Sequence, residues 1–198
     1  MLNIKSAAAL GLSILLSATS VMPAAAALVY DRTSGTFVDE AQLAPRPRAG
    51  QSAIRKEIVE YATTQAPGTL VIETGERRLY LVLDDGKAMK YGIGVGRVGF
   101  TWAGTHRITR KAEWPGWTPP AQMRKRVPDL PAYMEGGPDN PLGARALYIG
   151  STLYRVHGTS EPWSIGQAVS SGCIRLTNDD VSDLYERVAV GAKIIVNH

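Results

Sequence analysis

Ser170-Ser171-Gly172-Cys173-Ile174-Arg175-Leu176 holds the only cysteine of this 198-residue chain. Sixteen residues before that cysteine (173 − 157 = 16) stands His157, in Val156-His157-Gly158-Thr159. One thiol and one imidazole at this separation form a candidate nucleophile and base. The apolar residues around them, Leu153 to Val156 and Cys173 to Leu176, read as two short strands. The loop Gly158 to Gly172 is long enough to bring the two strand ends side by side.

A thiolate attacks carbonyls far better than a thiol, and an ordinary cysteine is only slightly ionised at neutral pH. A neighbouring imidazole accepts the proton and can return it to a leaving group. The backbone N–H groups of Gly172 and Cys173 could face a developing oxyanion, and Gly172 tolerates the dihedrals such a turn needs. No Asp or Asn follows His157 closely, so the Gly158 carbonyl is the expected group orienting the ring. Arg175 falls two residues after Cys173, on the same side of a strand. Its guanidinium suits a substrate carboxylate, or else a structural ion pair. Ser170 and Ser171 read as turn residues.

Working outward, the pattern is rich in strands. Leu70-Val71-Ile72-Glu73-Thr74 and Leu79-Tyr80-Leu81-Val82-Leu83 flank a turn at Gly75-Glu76, and Asp84-Asp85-Gly86-Lys87 is a second hairpin turn leading to a strand from Met89 to Val95. Gly92, Gly94 and Gly96 share one side of that strand and leave room for close backbone approach. Further strands are expected at Thr105 to Ala112, Ala146 to Ile149 and Ile194 to Val196. One helix is well marked: Thr177 as N-cap, Asp180 three residues on, then Val181, Leu184, Tyr185 and Val188 on one face. Ile54, Ile58 and Tyr61 predict a second, short helix over Ile54 to Tyr61. The stretch from Glu113 to Gly143 carries Trp114, Trp117, Met123, Tyr133 and Met134, too many large apolar groups for a solvated linker, and reads as a lid or groove wall. The sum is a mainly β domain with one or two helices.

The N-terminus predicts export. Lys5, an apolar run from Ala7 to about Val21 and the small residues Ala24 to Ala27 have the order of a cleavable signal peptide over residues 1–26, cut after Ala26 or Ala27. Residues 27–66 read as an arm and linker, with Ala44-Pro45-Arg46-Pro47-Arg48-Ala49-Gly50 its clearest part. Residues 67–198 read as the main domain, the one that carries the thiol and the imidazole. An exported chain with one cysteine cannot close an internal disulfide, which leaves the thiol available. The chain has 22 Lys and Arg against 18 Asp and Glu. Losing Lys5 makes this 21 against 18, a net charge near +3, a mild excess suited to an anionic envelope polymer and no nucleic-acid signature. Three scattered histidines and one cysteine make no metal site. Gly92 to Gly96 lacks the following helix of a dinucleotide loop.

Together these residues resemble the L,D-transpeptidase catalytic domain, the YkuD-type family. The resemblance rests on His157-Gly158-Thr159, Ile165-Gly166 and Ser170 to Leu176. It extends to Glu76-Arg77-Arg78-Leu79-Tyr80, Gly94-Val95-Gly96-Arg97 and Glu113 to Pro120, and covers about Pro67 to Val196. It implies a β-sandwich of mixed sheets, no cofactor and a peptidoglycan stem peptide as substrate. Cys173 would cleave the bond between diaminopimelate and the terminal D-Ala of a tetrapeptide through a thioester. The acyl group would pass to an amine, giving a 3→3 cross-link or anchoring an envelope protein. Carboxypeptidase or endopeptidase action on the same scaffold, or an inactive wall-binding module, are the alternatives. The family is also acylated by carbapenems. Cys173, His157, Gly158 and Gly172 are the implied catalytic positions, and Arg175, Ser171, Trp114, Trp117 and Tyr133 the substrate-binding ones, in the periplasm or cell envelope. Many members have His where this chain has Ser171 and Asn where it has Arg175.

Overall fold

Short turns set the topology. The computed structural model describes residues 28–31, 36–39, 52 and 54–198, so the expected signal peptide and the Ala44–Gly50 linker lie outside the described residues. Strands β1 (Leu28–Asp31) and β2 (Thr36–Asp39) pair antiparallel as a separate two-stranded sheet. Strands β4 (Leu70–Glu73), β5 (Arg78–Val82) and β6 (Lys87–Gly92) follow as a meander. The β5–β6 turn places both Asp85 and Gly86 at positive φ, 57° and 67°, as a two-residue turn matched to strand twist requires.

Residues Ile54 to Tyr61 are not the expected helix. They contain strand β3 (Glu57–Glu60), which pairs antiparallel with β6 at the edge of the main sheet. Ile58 is 60 % exposed, so the helical spacing of Ile54, Ile58 and Tyr61 marks no buried stripe. The open edge of β6 supplies backbone partners, Glu57 pairs with Lys90 at 2.6 Å, and Tyr61 stacks on Tyr80. Tertiary pairing overrides a weak local period.

The chain continues through β7 (Val95–Gly96), the long β8 (Gly104–Glu113), helix α1 (Ala121–Arg126), β9 (Arg145–Ile149) and β10 (Arg155–His157). It ends with β11 (Ala168–Ser170), β12 (Ile174–Arg175), helix α2 (Asn178–Arg187) and β13 (Lys193–Asn197). Nine strands form one mixed sheet in the order β12-β10-β9-β8-β13-β4-β5-β6-β3. Strands β7 and β11 form a parallel pair beside it. The large sheet curls towards closure: Gly94, just beyond β6, exchanges two backbone hydrogen bonds of 2.9 Å with Arg175 of β12. A Cβ on Gly94 would lie 2.9 Å from the Ser164 carbonyl, so the close approach expected of the Gly92–Gly96 run is used here.

Alternating side chains of these strands, including Leu70, Leu79, Tyr91, Ile108, Leu147 and Ile194, fill one continuous core. Helix α2 closes it with Val181 and Leu184, both fully buried. Its start is the one read from the sequence: Thr177 accepts from the Asp180 N–H at 3.1 Å. The mainly β class with mixed sheets and two helices is as expected. The Thr177→Ala variant leaves a helix-terminal donor unpaired and is expected to cost about 1 kcal/mol; a lowered denaturant midpoint at unchanged slope would register it.

Candidate active site

The two motif strands are neighbours. Strand β10 pairs parallel with β12, Val156 opposite Ile174 and His157 opposite Arg175. Val156 and Ile174 point into the core, 0 % and 1 % exposed. Side chains alternate across a strand, so Arg155 and His157 of β10 share the other face with Cys173 and Arg175. All four line one cleft of about 360 Å³. Its far wall comes from the lid: Trp117, Pro120, Met123 and Pro141. A second cleft of about 350 Å³ adjoins it and shares Trp117, Met123, Ser171 and Arg175.

The imidazole of His157 is buried, and its Nδ1 bonds the Gly158 carbonyl at 2.6 Å. A carbonyl only accepts, so this bond puts the proton on Nδ1 and leaves Nε2 as the basic nitrogen. Burial, then the positive charge of Arg175, drives the His157 pKa down to about 3, against weaker opposite pulls from the Gly158 and Leu142 carbonyls. The ring is neutral at physiological pH. Burial pushes the Cys173 thiol up, while the Arg155 guanidinium and backbone beside it pull the other way. The thiol lies 3.9 Å from the Leu153 carbonyl. Burial thus favours the neutral form of both the thiol and the imidazole.

The turn before Cys173 is tightly held. Gly172 has φ of 104°, and a side chain there would run into the Tyr154 ring. The Gly172 N–H donates to Ser170 Oγ at 3.2 Å, and the Ser170 hydroxyl donates to the Cys173 carbonyl at 2.6 Å. Of the two amides expected to face an oxyanion, Gly172's is thus engaged within the turn. Among the described residues, the Cys173 N–H has no protein acceptor.

The substrate-facing expectations divide. Ser171 and Trp117 line both clefts. Trp114 and Tyr133 line neither: they are 43 % and 57 % exposed, and Tyr133 lies over Gly116 on the lid. Arg175 reaches both clefts, but its guanidinium pairs with Glu161 at 3.1 Å, the structural alternative to a waiting carboxylate clamp. Arg155 was not among the expected site residues, and its position two residues before His157 was the available signal. Helix α1 was not expected either, because at six residues it is too short for periodicity to reveal. The lid is pinned at its base, where Trp117 and Met134 exchange backbone bonds of 2.8 Å and buried Asn140 bonds the Glu135 carbonyl at 2.8 Å. Asn178, first in α2, accepts from the Ala144 N–H at 2.9 Å and packs against Gly158. One residue so joins lid and catalytic loop.

The buried neutral histidine sets a pH dependence. His157 titrates near 6.5 when unfolded and near 3 when folded, so between those values the unfolded chain binds more protons. Stability is full above about pH 6.5 and falls as pH drops towards 3. Denaturant midpoints measured across that range should show this fall, shallower in His157→Gln. Equal slopes in the two proteins would mean that the ring titrates freely.

Comparison with known proteins identifies the family. The model of the YkuD family, L,D-transpeptidase catalytic domain, matches residues 67–196. "Probable L,D-transpeptidase ErfK/SrfK" of Escherichia coli is 42% identical over 134 residues, 63% of this chain and 42% of that protein. "Probable L,D-transpeptidase YbiS" of the same organism is 41% identical, over 63% and 43%. The chain thus spans less than half the length of these two relatives. A solved structure from Brucella melitensis, described as a probable carnitine operon oxidoreductase, is 42% identical with a TM-score of 0.51, covering 74% of this chain and 96% of that one. An L,D-transpeptidase from Mycobacterium smegmatis shares the fold at 24% identity, TM-score 0.52, over 66% and 58%. With its model matched over residues 67–196, a span that includes the paired strands β10 and β12, the chain belongs to the L,D-transpeptidase catalytic domain (YkuD) family.

Proposed function

We propose that this protein is an exported cysteine acyltransferase of peptidoglycan, acting in the periplasm or cell envelope. The observation that carries the reading is the common face of β10 and β12, where Cys173, His157 and Arg155 open onto one cleft. The relatives' names support the reaction class. Among the described residues no helix is long and apolar enough to cross a membrane; the proposed export rests on the N-terminal sequence.

As the Cys173 sulfur bonds the carbonyl carbon of diaminopimelate, His157 Nε2 takes the thiol proton. The carbonyl electron pair moves onto oxygen, where the Cys173 N–H can meet it. Collapse breaks the bond to D-Ala, whose nitrogen receives the proton from His157. A thioester remains. An acceptor amine then gives its proton to His157, bonds the acyl carbon and expels the sulfur, which regains the proton. A stem-peptide amine gives a cross-link, and a protein amine gives a wall-anchored protein. Water as acceptor would give the carboxypeptidase product. Arg155 favours the developing thiolate by its charge. Arg175, paired with Glu161, disfavours a second positive charge on His157.

Imipenem, with which an L,D-transpeptidase of this fold has been solved, is a direct probe of the nucleophile. Wild-type protein should gain the mass of one opened β-lactam and Cys173→Ala none. An adduct on the alanine variant would remove the central claim. His157→Ala should slow acylation by about 10²–10⁴-fold; an unchanged rate would assign the proton to another group. For the acceptor, purified tetrapeptide muropeptides should yield dimers, and tripeptide alone would mean hydrolysis.

Arg155→Gln removes the cation next to the sulfur. The thiol pKa, followed by iodoacetamide alkylation against pH, should then rise further. A curve that stays in place would show that the guanidinium does not act on the thiol.

A further inference from the structure

The loop between β7 and β8 carries Trp102, which lines neither cleft and yet bonds the backbone of Gly172, next to Cys173. Its indole Nε1–H donates to the Gly172 carbonyl at 2.7 Å. The ring stacks on Tyr154, centroids 4.5 Å apart and planes 3° from parallel. Tyr154 in turn fills the space beside Gly172 that a side chain would need. Trp102 is half-buried, and its indole hydrogen bond goes to the residue before Cys173.

That bond has a consequence through peptide geometry. The Gly172–Cys173 unit is trans, so its C=O and N–H point in opposite directions. Holding the Gly172 carbonyl towards Trp102 fixes the Cys173 N–H away from it. This is the amide left without a protein acceptor, since Ser170 engages the Gly172 N–H and the Cys173 carbonyl. Gly172, at positive φ, is also where the backbone rotates most freely. An unrestrained peptide unit there could turn over and carry the N–H with it. The indole bond opposes that rotation.

We infer that Trp102 is a positioning residue for acyl transfer: it aims the Cys173 N–H at the oxyanion by clamping the Gly172 carbonyl. The inference rests on the acyl-transfer reading above and deepens it. During attack the sulfur–carbon bond forms and the carbonyl π pair passes to oxygen. A preset donor stabilises that charge without reorganising. Alkylation of the same thiol displaces a halide at a saturated carbon and creates no oxyanion, so the clamp is silent in that reaction.

The test compares these two electrophiles on full-length wild type and Trp102→Phe, which keeps a ring on Tyr154 and loses the N–H. Acylation by imipenem should slow by about tenfold to a hundredfold, below the ~10²–10³ of losing an oxyanion donor outright, while alkylation by iodoacetamide keeps its rate and pH profile. Replacing Trp102 with the analogue that carries sulfur in place of the indole N–H preserves the ring shape, and should give the same split even if Trp102→Phe fails to fold. Equal slowing in both reactions would overturn the inference, because Trp102 would then only shape the thiol's surroundings. So would unchanged acylation. Wild type that is alkylated but never acylated would overturn the acyl-transfer reading itself, and this role with it.

Discussion

The parallel pairing of β10 with β12, in the register Val156 to Ile174 and His157 to Arg175, is the constraint on which the site depends. Because strand side chains alternate, this register sends Val156 and Ile174 into the core and the four polar residues to the cleft together. A slip of one residue would bury the charges and expose the apolar pair. The fully buried Val156 and Ile174 therefore hold the geometry of the candidate site in place. The curl of the sheet reinforces it, since Gly94 bonds the backbone of Arg175 from the opposite side.

Burial also decides the chemistry of the resting site. It disfavours charge on both groups, lowering the proton affinity of His157 and raising that of Cys173. A preformed thiolate–imidazolium pair is thus disfavoured, and the two nearby arginines act on the pair unequally. Arg175 helps to keep His157 neutral, and Arg155 favours the thiolate. A neutral base with its proton fixed on Nδ1 by Gly158 is poised to accept one on Nε2.

Much of the fold was legible because it was locally encoded. Asp85-Gly86 supplied turn chemistry, Thr177 and Asp180 a capped helix start, and β4 and β5 their buried apolar runs. What escaped was of another kind. Strand β3 exists because β6 offers an edge, which no property of Ile54 to Tyr61 announces. Helix α1 is too short to show a period. Trp114, Trp117 and Tyr133 look alike in sequence as lid aromatics, yet only Trp117 turns inward, pinned by its backbone bridge to Met134. Arg175 could have been a clamp or an ion pair, and Glu161, fourteen residues away (175 − 161 = 14) in the connecting loop, engages it.

The candidate pair, the family and the mainly β architecture were legible in the chain, because a lone cysteine after Gly172, a histidine before Gly158 and period-2 strands are local signals. Which groups surround that pair was set by the packing of the sheet. Arg155 reaches the sulfur only through strand register, and Trp102 reaches the Gly172 carbonyl across seventy residues of chain (172 − 102 = 70). Local sequence carries dihedral preference and alternation, whereas a contact between distant residues depends on how the whole sheet curls. The residues that surround the Cys173 thiol belong to that second class.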